Sequence, residues 1–321
     1  MTVVGIHASH EQVHPAVLLE AVQAAEAAGF GAAMSSDHFS PWSERQGQSG
    51  FAWSWLGAAL ARTSLPFGVV NAPGQRYHPA IIAQASATLA AMFPGRFWVA
   101  MGTGEASNEH ITGDRWPRKD VRNARLRECV DVVRALHRGE EVSHEGLVHV
   151  DRARIWTLPE DPPPLLAAAV SAETAAWAAG WADGIITIHQ PADVLRRLLA
   201  AYRDAGGRGR AVLQVHLSYA RDDDTALAIA HDQWRTNVFA PPVCWDLELA
   251  EHFDEAARHV DPSDMHGSVL VSSDPARHLD RLRDAVELGF DEVYLHHVGQ
   301  EQQEFIEVFG ERVVPELAAT R

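Results

Sequence analysis

The chain has 321 residues, enough for one large domain with a well-buried core or for two small ones. Its formal charge of -16, from 43 acidic side chains against 27 lysines and arginines, disfavours nucleic acid and anionic membrane surfaces as general partners; a small molecule in a local pocket is expected instead. Cys129 and Cys244 lack metal-type spacing, MTVVGIHASHEQVHP has no basic start, and no run approaches about 18 apolar residues, so a reduced, cytoplasmic, soluble protein is expected.

Short apolar runs alternate with longer segments of helical period, the pattern of βα units around a parallel sheet. Val3–Ala8 is the first predicted strand. The helix after it is opened by Pro15 and ended by Gly29, with Val17, Leu18, Ala21, Val22 and Ala25 on its apolar face. Strands follow at Ala32–Ser36, Phe67–Ala72 and Phe97–Gly102, and a helix runs from Pro79 to about Met92. Val142 to Trp156, with Gly146 between alternating runs, reads as a hairpin inserted before the fifth strand. Strands are next predicted at Leu165–Val170, Gly184–Ile188 and Val212–Tyr219, with a helix from Ala172 to about Ala179 after the fifth. Asp222 to His266 is long, acidic and partly helical, an excursion before the last strand, Glu292–Val298. Eight strands predict a closed (β/α)8 TIM barrel forming a single domain over residues 1–321. Its insertions at about 142–156 and 222–266 explain the length beyond about 250 residues, and the second is expected to cover the C-terminal mouth.

Loops at the C-terminal strand ends build the active site of such a barrel. His7, His38, Glu105, Ser171, His189, His216, His296 and His297 all fall at or near such ends. The strand that stops on Asp37-His38 leads into a polar loop with Trp42 and gives one wall. A second wall is the strand that stops on Gly102-Thr103-Gly104 before Glu105, Asn108 and Glu109. The imidazole of His38 titrates near neutral pH and can take a proton from an alcohol, and Asp37 can orient it or touch a cofactor. The loop Ala169-Val170-Ser171, ahead of a helix, offers backbone amides and a hydroxyl to a phosphate.

The stretches DHFSPW, PGQRYHPAIIAQASATLAAMFPGRFWVAMGTGEASNEHITG and WADGIIT resemble the luciferase-like flavin oxidoreductases. Within that family they resemble most the branch of F420-dependent glucose-6-phosphate dehydrogenases, over most of residues 3–190 and weakly after Val269. The resemblance implies a catalytic His38, with Asp37 beside the deazaflavin, Trp42 in the active site and Glu105 as the proton-donating glutamate. It also implies that Asn108 contacts the cofactor ring, that Gly104 lets the backbone approach it, and that cofactor phosphate lies near Ala169, Val170 and Ser171. The branch has a Gly-Gly step where this chain reads Ala169-Val170. Residues 68–73, GVVNAP, match the strand where the family carries a non-proline cis peptide against the ring, at Val69-Val70 or Val70-Asn71. The sugar-phosphate clamp is missing: Ile188-His189-Gln190-Pro191 stands at its first lysine, LELAEHFDEAARHV has no second, and Met265-His266-Gly267-Ser268 lacks the arginine.

The function so implied is hydride transfer between an organic substrate, not glucose 6-phosphate, and FMN or F420, with a slight preference for FMN. The near alternative is an FMN-dependent monooxygenase supplied by a partner flavin reductase. Two readings come from other classes. One is a metal-dependent barrel hydrolase, disfavoured by the spacing of His7-Ala8-Ser9-His10, and the other a catalytically silent flavin-binding protein. No metal site is expected, and a homodimer is.

Overall fold

Eight parallel strands close into a barrel in the computed structural model, which describes residues 2–319. In chain order the strands are β1 (Val3–Ala8), β2 (Ala32–Ser36), β3 (Phe67–Asn71), β4 (Phe97–Met101), β5 (Val142–Glu145), β6 (His149–Ala153), β7 (Leu165–Ala168), β8 (Gly184–Ile188), β9 (Arg210–Ser218), β10 (Leu270–Val271) and β11 (Glu292–His297). The sheet runs β9-β11-β1-β2-β3-β4-β7-β8, and β8 pairs back onto β9, which makes a (β/α)8 barrel. Two-residue β10 flanks the end of β9, while β5 and β6 form a separate antiparallel hairpin. Strands β1, β2 and β8 have the predicted bounds; β7 stops two residues early, where the chain leaves the ladder to build the mouth. Helices Pro15–Ala27 and Pro79–Met92 both start with proline after a histidine, His14 and His78, whose ring accepts the amide of the residue after the proline.

Strand alternation sorts the side chains into two cores. Val4, Ile6, Val69, Val99 and Leu213 pack outward under the helices. Met34, Trp98, Ala100, Leu166, Ile186, Val212 and Tyr294 fill the barrel interior. Trp98 and Tyr294 meet edge to face, 6.1 Å between centroids, and two strand glycines make room for them. A Cβ at Gly68 would lie 1.9 Å from the Trp98 ring, and one at Gly5 2.5 Å from Tyr294. Below them the Tyr294 hydroxyl donates to Glu292 at 2.8 Å, and Arg210 pairs with Glu292 at 2.7 Å.

Residues 68–71 pair one by one with residues 98–101, and Val69 and Val70 pair on the other side with Ser35 and Ser36. This unbroken ladder is trans throughout. Among the described residues the only cis peptide is Pro241–Pro242, so the expected cis step at Val69-Val70 or Val70-Asn71 is absent.

The excursion from 222 to 266 lies across the C-terminal mouth. It is tied to the β2 loop by Ser43 and the Glu44 amide, which donate to Asp254 at 2.7 and 2.9 Å, and by the Arg45 guanidinium on Asp232. Trp116 Nε1 donates to Asp246 at 3.0 Å and joins it to the loop after β4.

Candidate active site

Two cavities meet under this roof, of about 130 and about 350 Å³. The smaller is bounded by the end of β3 (Val70, Asn71, Ala72), the turn from Gly102 to Glu105, and the ends of helices carrying Lys119 and Trp177. The larger is bounded by strand residues His7, Ser36, Gln214, His216 and His296, by Trp42, and by the excursion from Trp234 to Trp245. Residues His38, Val70, Glu105, Ala168, Val170 and Trp245 line both.

One side of the junction is charged. His38 Nδ1 hydrogen-bonds the carboxylate of Glu11, a residue only 3% exposed, and Ser9 Oγ donates to the same carboxylate at 2.7 Å. Burial alone would push the Glu11 pKa up, but the neighbouring imidazole charge and these hydrogen bonds bring it down to about 2. Burial likewise works against the His38 cation, yet the Glu11 charge and hydrogen bond, with Glu105 adding to them, raise its pKa above the ordinary value. Nε2 of His38 has no protein partner among the described residues. Trp42 stands edge-on to the His38 ring at 5.4 Å and to Phe253 at the same distance, linking base, loop and roof.

Behind this pair, Asn108 accepts the amides of Phe39 and Ser40 at 2.8 and 3.2 Å and donates to Glu105 Oε2 at 3.3 Å, so one amide fixes both walls. Arg76 lies between Asp37 (3.4 Å) and Glu109 (3.5 Å), and Trp53 Nε1 donates to Asp37 at 3.2 Å. Burial raises the pKa of both acids against the pull of Arg76. Asp37 thus braces the loop from below.

The opposite side is neutral. The rings of His7 and His296 stack at 4.3 Å, His216 meets His296 edge-on at 5.3 Å, and Trp234 packs on both His216 and His296. Gln214 Nε2 lies 3.2 Å from a nitrogen of His216 and of His296, and Gln12 Oε1 lies 2.8 Å from His296 Nε2. Burial lowers the pKa of His7 to about 4, of His216 to about 3 and of His296 well below its usual range.

Several predicted site residues sit differently. By alternation Val69 points into the outer core and borders neither cavity, while Val70 borders both. Ala169 also packs in the outer core, between the inward Ala168 and Val170, and only borders the larger cavity. Ser171 caps the helix Ala172–Ala178: its Oγ accepts the Thr174 amide at 3.2 Å and donates to Thr174 Oγ1 at 3.0 Å, so the hydroxyl expected on a phosphate is engaged locally. His189 and His297 border neither cavity; His297 stacks on Phe305. Glu11, Gln12, Gln214 and Trp234 are site residues the sequence reading missed. For Gln214 the signal was present, a polar residue two before His216 at strand period within β9; for Glu11 it was an acid in the first βα loop.

The smaller cavity suits a planar, mostly apolar ring. Small residues, Ala72, Gly102, Gly104 and Ala168, form part of its wall; Gly104 sits at φ +79 where a Cβ would be 3.0 Å from Glu109 Cγ and 3.1 Å from Ala72 Cβ, and Asn71 Oδ1 and Asp37 Oδ1 are buried acceptors without a protein partner, fit for ring N–H groups. Among the described residues no three His, Cys, Asp or Glu converge as metal ligands, both cysteines are free, and no helix is long and apolar enough to cross a membrane.

A (β/α)8 barrel with a histidine–carboxylate pair at the junction of two mouth cavities defines a barrel enzyme with acid-base machinery. The chain belongs to the luciferase-like monooxygenase family, which matches residues 1–292, and it is an oxidoreductase of that family. It is 35% identical over 327 residues to the F420-dependent glucose-6-phosphate dehydrogenase of Nakamurella multipartita, covering 98% of this chain and 96% of that one. It superposes on the structure of an F420-dependent secondary alcohol dehydrogenase in complex with an F420-acetone adduct, with a TM-score of 0.91 and 28% identity over 98% of this chain and 99% of the other. The coenzyme F420 dependent tetrahydromethanopterin reductase from Methanopyrus kandleri shares the fold, with a TM-score of 0.78 at 22% identity over 98% and 99% of the two chains.

Proposed function

We propose that the protein is an F420-dependent dehydrogenase of a neutral, hydroxyl-bearing substrate. The observation that carries this is the position of His38 and Glu105, which line the ring-sized cavity and the larger one at once. The names of the relatives support F420 over the slight preference for FMN, which finds no support among them and is set aside. Val70, Asn71, Ala72, Gly104, Ala168 and Val170 would hold the ring. Bound there, a deazaflavin supplies the hydride-accepting carbon.

The protein's own part is proton handling and exclusion of water. Nδ1 of His38 is held by Glu11, so Nε2 is the atom left to take the hydroxyl proton, and the carboxylate stabilises the resulting imidazolium. Glu105, oriented by Asn108 Nδ2, is the second proton carrier at the junction. Trp42 and Trp234 close the larger cavity, while Gln214, His216 and His296 offer neutral polar atoms to substrate hydroxyls.

No lysine or arginine borders the larger cavity, whose ionisable acids are Glu11 and Glu105, so a phosphate dianion has no lysine or arginine clamp there. Arg196 and Arg197 on the following helix are exposed, and Arg197 pairs with Asp193. The test is to mix protein and F420 with a panel of neutral alcohols, polyols and sugar phosphates and follow loss of the oxidised cofactor band. Reduction by a neutral alcohol is expected; reduction by glucose 6-phosphate saturating at micromolar concentration would refute the neutral-substrate reading.

A further inference from the structure

Gln12, His296, Gln214 and His216 form a relay on the neutral wall in which the place of every proton follows from one backbone carbonyl. A carbonyl only accepts, so Gln12 Nε2, which donates to the Val298 oxygen, turns Gln12 Oε1 towards His296 Nε2 at 2.8 Å. That amide oxygen also only accepts, which puts the ring proton of His296 on Nε2. Burial keeps the His296 and His216 rings neutral, with one proton each. His296 Nδ1 is therefore an acceptor, and it takes one amide proton of Gln214 Nε2 at 3.2 Å. The other amide proton goes to His216 Nε2, again at 3.2 Å, which leaves the proton of His216 on Nδ1. Turning the Gln214 amide over would set its oxygen against His296 Nδ1, acceptor on acceptor.

The rings are also held by packing. His7 stacks on His296 at 4.3 Å, and Trp234 lies 4.8 Å from His216 and 4.7 Å from His296, contacts that oppose a flip of either ring. Two atoms are left over at the end of the relay, Gln214 Oε1 as an acceptor and His216 Nδ1–H as a donor. Neither has a protein partner among the described residues, neither is sealed away as His7 Nδ1 is, and both residues border the larger cavity. Gln12 borders neither cavity, so it acts on a ligand only through this ordered set of protons.

We infer that the substrate carries a second hydroxyl besides the one that His38 deprotonates, read by Gln214 Oε1 and His216 Nδ1–H, with Gln12 as the positioning residue that sets their polarity. This rests on the reading of a neutral, hydroxyl-bearing substrate and names its second group. A hydroxyl answers both atoms, because it donates and accepts at once. An ether oxygen answers only the ring N–H and leaves the Gln214 oxygen unpaired; a carboxylate sets its charge against that oxygen, with no lysine or arginine in the cavity wall to offset it. Trp234, Phe239, Pro241 and Trp245, which the excursion adds to the same cavity, give the carbon skeleton apolar contacts.

The proton order is tested without substrate or cofactor, by long-range proton–nitrogen correlation spectra of protein labelled in its 18 histidines, assigned with His216→Gln and His296→Gln. At neutral pH His296 is expected as the Nε2–H tautomer and His216 as the Nδ1–H tautomer, and Gln12→Met is expected to leave both mixed. A His216 ring protonated on Nε2 overturns the inference. The substrate class is tested with F420 and matched probes: cyclohexanol, the positional isomers of cyclohexanediol, their monomethyl ethers and the corresponding hydroxycyclohexanecarboxylates. For the best diol kcat/KM is expected to exceed that of cyclohexanol and of its own ether by about ten- to hundredfold, with the carboxylate slowest, and Gln214→Met is expected to remove most of that ratio. Equal kcat/KM for the diol and its ether, or for the diol and cyclohexanol, overturns the inference. Both decisive comparisons use the wild type, so a variant that fails to fold leaves them readable. Turnover of none of the probes counts against the F420 reading, and diol binding followed on the His216 ring resonances then decides: a shift that the methyl ether does not reproduce supports the second-hydroxyl site, and the same response to both overturns it.

Discussion

Two walls of one site shift the same side chain's pKa in opposite directions. His38 faces a buried carboxylate and its pKa rises; His7, His216 and His296 face one another, an amide and a tryptophan, and theirs fall. Burial opposes the imidazolium on both walls, so the difference lies in the partner: Glu11 supplies a counter-charge, and Gln214 supplies only a dipole. On the proposed function, acid-base work is confined to the junction, and the β9–β11 wall offers neutral polar atoms to the substrate.

The sharpest way to break this contrast is to delete one histidine from each wall. His38→Ala is expected to slow turnover by about 10²–10⁴-fold with ring affinity nearly intact, and Glu105→Gln by at least about a hundredfold. His216→Asn is expected to raise KM while kcat falls far less. Steady-state kinetics on the identified alcohol checks both; a mainly kcat effect at His216 would make the walls equivalent.

The neutral wall also predicts how the fold fails in acid. A histidine whose folded pKa is lowered holds fewer protons folded than unfolded between the two values, so stability is full above pH 6.5 and lost as pH falls towards about 4. For His7 and His216 the loss is on the order of 3 kcal/mol each. The Glu11 carboxyl acts at lower pH: its depressed pKa contributes stability above 4.5 that is lost as pH falls through about 2. Urea midpoints between pH 7 and 4 should therefore drop steeply in the wild type and less steeply in His216→Asn.

Smaller in size but more specific is the response of His38 to its partner. Without the Glu11 charge, burial outweighs the remaining pull of Glu105 on the ring and its pKa falls. Glu11→Gln is expected to lower kcat/KM about tenfold at neutral pH, because the imidazolium loses its counter-charge, and to move the acidic limb of its pH profile, where the base becomes protonated, to lower pH. An unmoved limb would assign it to another group.

Much of this was legible in the chain. The eight strands stood out as short apolar runs between helical segments, and His38, Trp42 and Glu105 were marked by their place just past strand ends. What escaped depends on parity and on distance. Val69 and Ala169 were named from a resemblance to a segment, whereas one step along a strand reverses the face, so Val70, Ala168 and Val170 line both cavities while Val69 lines neither. Glu11 lies in a loop with no strand-end turn and gains its role from a residue 27 positions away. Trp234 acts because the excursion folds back over the mouth, a placement no local pattern encodes.

The edge-to-face pair Trp98 and Tyr294, with strand glycines beneath them, plugs the far end of the barrel. The site is consequently closed towards that end and faces the C-terminal mouth, beneath the excursion. On the proposed reading, ligands of both cavities therefore pass on the side that the Trp116–Asp246 hydrogen bond bridges.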